Sequence, residues 1–393
     1  MPKMTIQQID LFPAIDFGPS GPRAVEEKLV ILFSRTALDE KEYSEAGSML
    51  RSEKVDWDRF LELANIYQVS PLVYRSLQNF SSIPERVNAR LREWVAEIFA
   101  YNVRNLDAAR LLSGLFRREG VDAIFTKGVS YLMDVYGDIG LREMADIDLL
   151  VRPEDARKVH GILKEQGFTP SDGREDLDDY RAQKLYSRDD GICLDIHRSF
   201  IGRMLHNRIL NMDVSRILER ARELSMDGVR LRTLDIVNTL LYQCLHVSMQ
   251  HSFSGVRWYV DINEFVRRHE GEINWEDVTD AAGEYRIRRP VYYTLLFARN
   301  MFGTPVPEAV FEDLGRSARK SDRWLFRKIK NAGTSTGYIA ELAMFDSIGD
   351  MIKFVLLSFI TYPYLIAHFL LISGKTLKAM CARRRSMAAA PTD

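Results

Sequence analysis

The chain has 393 residues, 54 Lys and Arg against 55 Asp and Glu, and 46% apolar residues. Its length allows roughly two to three domains, and an apolar fraction near one half excludes a disordered chain. A formal net charge of −1 argues against a general DNA-binding protein, which needs a surplus of Lys and Arg on one face, and leaves room for a local basic site.

Cys193, Cys244 and Cys381 are too few and too widely spaced for a disulfide scaffold or a CxxC zinc site, and a reducing cytoplasm suits them best. Residues 1–24 run through Pro13, Gly18, Pro19, Gly21 and Pro22 without a continuous apolar stretch, so they read as a flexible leader and not as a signal peptide. In 25–119 the apolar residues recur at three and four positions, as in Val103, Leu106, Ala109, Leu112 and Phe116, which predicts amphipathic helices.

The period changes over 120–232. Val121 to Thr126 reads as a strand, Ser130 to Tyr136 as a helix, Asp146 to Val151 as a second strand, and Pro153 to Gly167 as a helix. Ala182 to Ser187 and Ile192 to Phe200 flank Arg188-Asp189-Asp190-Gly191, a hairpin turn signal. Residues 233–345 return to helical spacing, broken at Pro305 and Pro307. The expected fold class is α+β, with a small mixed sheet and its helices embedded between N-terminal and C-terminal helical regions.

Residues 346–393 form an apolar segment with a basic tail. Phe354 to Ser373 carries no formal charge when His368 is neutral, and about 20 helical residues span a hydrocarbon core. Pro363 interrupts it, and Lys375, Lys378, Arg383, Arg384 and Arg385 follow. The pattern admits two readings: peripheral contact with an anionic membrane through 352–385, or a buried helical hairpin or dimer interface.

The chemistry centres on Asp146-Ile147-Asp148-Leu149-Leu150-Val151. On a strand, alternation puts Asp146 and Asp148 on one face, with Ile147, Leu149 and Val151 on the other. Two carboxylates side by side repel unless a divalent cation neutralises them, and oxygen ligands of this kind suit Mg²⁺ or Mn²⁺. On Ile192 to His197 the same alternation puts Cys193, Asp195 and His197 on one face, so Asp195 completes a three-carboxylate cluster if the two strands are neighbours. Upstream, Phe125-Thr126-Lys127-Gly128-Val129-Ser130 is a strand that ends at a glycine and opens a helix, a pattern that cradles phosphate.

This order of elements resembles the nucleotidyltransferase fold of the DNA polymerase beta superfamily, and more closely a bacterial family of uncharacterised nucleotidyltransferases. The similar stretches are IFTKGVSYL from Ile124, LREMADIDLLV from Leu141, ICLDIHR from Ile192, and Leu240 to Ile262, with the helical lead-in VDWDRFLELANIYQVSPLVYRSL, so the resemblance runs from about Val55 to Phe302.

It implies metal-dependent transfer of a nucleoside monophosphate from a nucleoside triphosphate to an acceptor, with pyrophosphate leaving. Asp146 and Asp148 would hold two metal ions. Asp195 would hold one of them and orient or deprotonate the acceptor. Gly128, Ser130 and Lys127 would cradle the triphosphate, and Arg142 would neutralise phosphate charge. The acceptor stays open among a small molecule, a peptide, a protein and an RNA end. Gly128 is followed by Val129 where the superfamily has a second Gly or a Ser, which keeps open the alternative of a catalytically degenerate nucleotide-binding or membrane-attached accessory protein of the same fold.

Bland alternatives stand beside several residues: a solvated strand-end charge for Lys127, and an ion pair with Glu143 or Asp138 for Arg142. His246, Gln250 and His251 read as polar packing more readily than as a metal or acceptor site; Trp258, Tyr259 and Asp261 sit in a helix that lines a cleft for a nucleobase or acceptor, or else supplies a core Trp and a capping or ion-paired Asp. His197 is a candidate neighbour of the metal ligands or a base. Asp172, Glu175, Asp176, Asp178 and Asp179 read as an acidic rim loop that disfavours a polyanionic acceptor.

Overall fold

The computed structural model describes residues 24–177, 182–201, 209–332 and 342–361. The chain divides into two units, Met1–Asp346 and Ser347–Asp393.

The first unit opens with helices α1 (Val25–Phe33), α2 (Glu40–Ser52), α3 (Trp57–Ile66), α4 (Ser70–Leu77) and the long α5 (Glu85–Arg118). Local caps set their starts. Asp39 and Glu42 form a reciprocal capping box at α2, and the Asp56 carboxylate accepts from the first-turn N–H groups of α3. Helix α5 ends at Gly120, whose φ of +66° lets the Val121 N–H return to Phe116 O at 2.8 Å. That bond uses Val121 as a helix terminator, so the first strand, β1 (Ala123–Thr126), begins two residues later than its apolar pattern predicts.

The sheet has the order β1-β2-β5-β4-β3, with β2 (Ile147–Val151), β3 (Thr169–Pro170), β4 (Gln183–Ser187) and β5 (Cys193–His197). Strand β2 runs antiparallel to β1 and parallel to β5, while β4 pairs antiparallel with β5 and with β3, so the sheet is mixed as expected. The β4–β5 hairpin turns at Gly191, where φ is +85°. Between β1 and β2 come α6 (Lys127–Tyr131) and a π-helical turn, Leu132–Tyr136; after β2 comes α7 (Ala156–Glu165).

Alternation gives the sheet two unlike faces. Phe125, Ile147, Leu149, Val151, Leu194 and Ile196 enter one core with Leu106, Ala109, Leu112 and Phe116 of α5 and Val159, Ile162 and Leu163 of α7. A buried Leu or Phe contributes about 1.5–3 kcal/mol, so this face anchors the strands. The opposite face carries the polar residues. A ribbon absent from the sequence reading, β6 (Arg222–Met226) with β7 (Val229–Thr233), joins the same core through Leu224, Val229 and Leu231, and Thr233 Oγ1 donates to Phe125 O at 2.8 Å.

Helices Ile236–Leu245, Val256–Arg268, Trp275–Glu284 and Arg288–Phe302 follow, the first continuing into a π-helical turn, His246–Gln250. In the second unit, helix Ile348–Thr361 is described, and the remainder of the apolar and basic tail lies outside the described residues. No described helix is long and apolar enough to cross a membrane.

Candidate active site

Parallel pairing of β2 with β5 sets Asp148 directly opposite Asp195, Cα partner to Cα partner, on the polar face of the sheet. Neighbouring strands lie about 4.8 Å apart, so the register alone places the two carboxylates side by side. His197, two residues beyond Asp195, joins them: Nε2 is 3.1 Å from Asp148 Oδ1 and 3.0 Å from Asp195 Oδ2. All three side chains are buried.

The fourth member is Lys127. Its Nζ donates to Asp148 Oδ1 at 2.5 Å and lies 3.4 Å from His197 Nε2. Burial opposes its charge more than any single neighbour favours it, yet Asp148, Tyr242 and Asp195 together outweigh burial and hold the ammonium protonated. The same partners keep Asp148 below the ordinary carboxylate range although burial pushes the other way. Burial also disfavours a charged His197, but the adjoining Asp195 carboxylate leads the effects that raise its pKa well above that of a free imidazole. Two carboxylates are thus compensated by two cations inside the protein.

Asp146 departs from its expected place. Strand β2 begins at Ile147, so strict alternation does not govern Asp146, and its carboxyl is not among the converging donor atoms. Burial, then repulsion from Asp148, pushes its pKa up to about 7. The loop that leads to it is tied down by α5: Asn102 Nδ2 donates to Ile139 O at 2.6 Å and to Arg142 O at 2.8 Å, and the Tyr101 hydroxyl donates to Ala145 O at 2.9 Å.

Arg142 is engaged elsewhere. Its Nε and Nη2 donate to Asp261 Oδ1 and Oδ2 at 2.9 and 2.8 Å, a buried two-pronged pair that the Tyr136 hydroxyl joins at 2.9 Å. The carboxylate partner is therefore Asp261 on helix Val256–Arg268, not Glu143 or Asp138. Gly128 has a packing reason to lack a side chain: a Cβ there would stand 3.1 Å from Met144 Cγ and 3.2 Å from Arg142 Nη1. The Ser130 hydroxyl donates to Lys127 O at 3.0 Å. Of the residues expected around phosphate, Lys127 reaches the carboxylates, while Gly128, Ser130 and Arg142 make these internal contacts. Lys127 itself sits at φ +48°, a left-handed backbone uncommon for a residue with a side chain.

Sequence reasoning missed Gln183 and Tyr242. Gln183 Nε2 donates to Asp195 Oδ2 at 2.6 Å, and the Tyr242 ring lies 5.6 Å from Lys127 Nζ. The β4–β5 register, with Gln183 opposite His197, is the signal for the first. Nothing local marks the second, since its place depends on how a helix more than a hundred residues downstream of Lys127 packs.

The donor set suits a divalent cation. One ligand atom each from Asp148, Asp195 and His197 lies within 4.8 Å of the others, so the group could hold a cation once His197 gives up its proton, and Asp195 Oδ1 is buried without a hydrogen-bond partner among the described residues. Of the acidic rim run, Asp178 and Asp179 lie outside the described residues.

A family model described as uncharacterised nucleotidyltransferase matches residues 53–303, a stretch that holds α3 to α7, the whole sheet and the helices through Phe302. No protein of curated function matches the chain.

Proposed function

Because the chain belongs to the family of uncharacterised nucleotidyltransferases, we propose that it moves a nucleoside monophosphate from a nucleoside triphosphate to a nucleophile on an acceptor, releasing pyrophosphate. The observation that carries this reading is the in-register pair Asp148 and Asp195, buried on adjacent parallel strands.

Asp148 and Asp195, with Asp146 at the mouth of β2, would hold Mg²⁺ or Mn²⁺, and the cation would supply Lewis-acid stabilisation of phosphoryl charge. Lys127 presents a buried, poorly screened positive charge to the triphosphate, and the backbone at Gly128 and the Ser130 hydroxyl border the same turn. Asp195 Oδ1, which has no hydrogen-bond partner among the described residues, orients the attacking hydroxyl and takes its proton. Arg142 acts at one remove, by bracing the Gly128 turn through its pair with Asp261.

A cytoplasmic location fits this reading, because the cytoplasm supplies nucleoside triphosphates. Peripheral membrane contact through 352–385 belongs to the same reading. Helix Ile348–Thr361 leaves Ile348, Ile352 and Leu356, each one turn apart, 60, 51 and 58% exposed, and the basic tail follows. Flotation of the full chain with anionic but not neutral vesicles supports that contact; flotation unchanged by deletion of 352–393 removes it.

Transfer is tested by incubating the full-length protein with each α-labelled triphosphate, Mg²⁺ or Mn²⁺, and cell extract. Label joined covalently to an extract component with pyrophosphate release is expected. Nucleotide binding without transfer would favour the accessory-protein alternative.

A further inference from the structure

Segment Ile236–Gln250 and the turn after it bring a second set of polar atoms to the region of the carboxylates. Tyr242 stands over Lys127 and meets His197 edge to face at a centroid separation of 6.4 Å. One turn later, His246 is 5% exposed and within electrostatic reach of Lys127 and His197.

The hydrogen bonding of His246 fixes its chemistry. Its Nδ1 lies 2.6 Å from Gln250 Oε1, an atom that only accepts, so Nδ1 carries the proton and Nε2 a lone pair. Burial, then the Lys127 charge, pushes its pKa well below the usual value, which keeps the ring neutral. Nε2 has no hydrogen-bond partner among the described residues, and neither do Gln250 Nε2, the Tyr242 hydroxyl or Arg257 Nε. An unpaired buried polar atom costs about 1–3 kcal/mol, so four of them between Tyr242 and Arg257 point to a ligand that completes them.

The ligand's character follows from the atoms. A neutral imidazole lone pair needs an N–H or O–H donor, which ionised phosphate oxygens do not carry. Gln250 Nε2 needs an acceptor. Beside them His251 stacks on Trp258 at 5.0 Å, held by a turn in which Ser252 and Phe253 have φ of +50° and +65°. At Gly255 a Cβ would stand 3.0 Å from the indole. Left-handed backbone at residues with side chains persists where the surroundings over-determine it, often at ligand sites, and π-helical turns such as His246–Gln250 share that tendency. The wall thus pairs flat ring surface with donors and acceptors, next to the charged cluster.

We propose that Tyr242, His246 and Gln250 receive the nucleoside half of the triphosphate, with an N–H or O–H of its base or sugar donating to His246 Nε2 and one of its acceptors meeting Gln250 Nε2. The inference rests on the nucleotidyltransferase reading and makes His246 a specificity-determining residue. It leaves no metal-ligand role for His246.

Calorimetric titration of the full-length protein in Mg²⁺, with each of the four ribonucleoside triphosphates and with inorganic tripolyphosphate, separates the two halves of the substrate. Wild-type protein is expected to bind at least one nucleotide more tightly than tripolyphosphate. His246→Phe, which keeps a ring and loses the lone pair, should weaken that nucleotide about tenfold, the loss of one buried hydrogen bond, and leave tripolyphosphate within about twofold. A second arm needs no variant: in ¹⁵N-labelled wild-type protein, the His246 Nε2 resonance should move on adding the nucleotide and not on adding tripolyphosphate. Equal weakening of both ligands, no weakening, or an unmoved Nε2 overturns the proposal while the transferase reading stands. Binding of neither ligand to wild-type protein overturns both.

Discussion

Lys127 Nζ stands 2.5 Å from Asp148 Oδ1, and both side chains are buried, 6 and 5% exposed. The ammonium therefore compensates the same carboxylate that would hold a metal cation. Two cationic side chains, Lys127 and His197, balance Asp148 and Asp195 closely enough for the sheet to bury them all.

Removing that ammonium should expose the competition. Breaking a buried ion pair from one side costs about 3–5 kcal/mol, because the partner charge is left uncompensated. Lys127→Met is thus expected to lower the unfolding free energy, and added Mn²⁺ should recover more stability in the variant than in wild type. Urea unfolding with and without Mn²⁺ measures both. Equal Mn²⁺ responses would mean that Lys127 and the cation do not share Asp148.

Arg142 and Asp261 should behave as one unit. Asp261→Asn is expected to cost about 3–5 kcal/mol, since Arg142 would keep its buried charge without a carboxylate. The double variant Arg142→Leu/Asp261→Leu should cost less than the sum of the single ones. A double-mutant cycle by urea unfolding checks this, and simple additivity would argue that the two side chains are not coupled.

Acid should destabilise the protein through the imidazoles beside Trp258. Burial, followed by the Lys127 and Arg257 charges, pushes His251 down to about 4, and burial leads the lowering of His246. A folded pKa below the unfolded one means that this stability is complete above the unfolded value, 6.5, and is lost as pH falls from there toward the folded value. Over that window the unfolded chain takes up protons that the folded chain refuses. The histidine contribution to the unfolding free energy is expected to fall between pH 6.5 and 4, by up to about 1.4 kcal/mol per pH unit for each such histidine, while Asp146, raised to about 7, takes up a proton in the folded chain over the same window and offsets about one of them. His251→Gln should shallow the slope by about one proton. Proton uptake on unfolding at pH 5.5, measured by calorimetry in two buffers, reports it directly; an unchanged uptake in the variant would refute the assignment.

Much of this site was legible because strand alternation is a local rule. Asp148, Asp195 and His197 followed from period-two patterning, as did the opposite apolar face of Ile147, Leu149, Leu194 and Ile196, and the Asp190-Gly191 turn marked the hairpin. Asp227-Gly228 is an equally plain turn signal, with φ of +50° and +78°, but the strands it joins, Arg222–Met226 and Val229–Thr233, are rich in charged residues that obscure their alternation. Asp146 stands just before strand β2, where alternation stops applying, because one residue decides whether it is on the strand or ahead of it. The partner of Arg142 is a different matter: Asp261 lies on a helix more than a hundred residues away, and no local period encodes that pairing. The same holds for Tyr242 above Lys127.

The most direct measurement compares a triphosphate labelled at the α-phosphorus with one labelled at the γ-phosphorus, each incubated with the full-length protein, Mn²⁺ and cell extract. The account predicts that the α label becomes covalently attached to an acceptor while the γ label leaves as pyrophosphate. It also predicts that Asp148→Asn and Asp195→Asn each abolish the transfer without unfolding the protein. Attachment of the γ label, or α transfer undiminished in both aspartate variants, would contradict it.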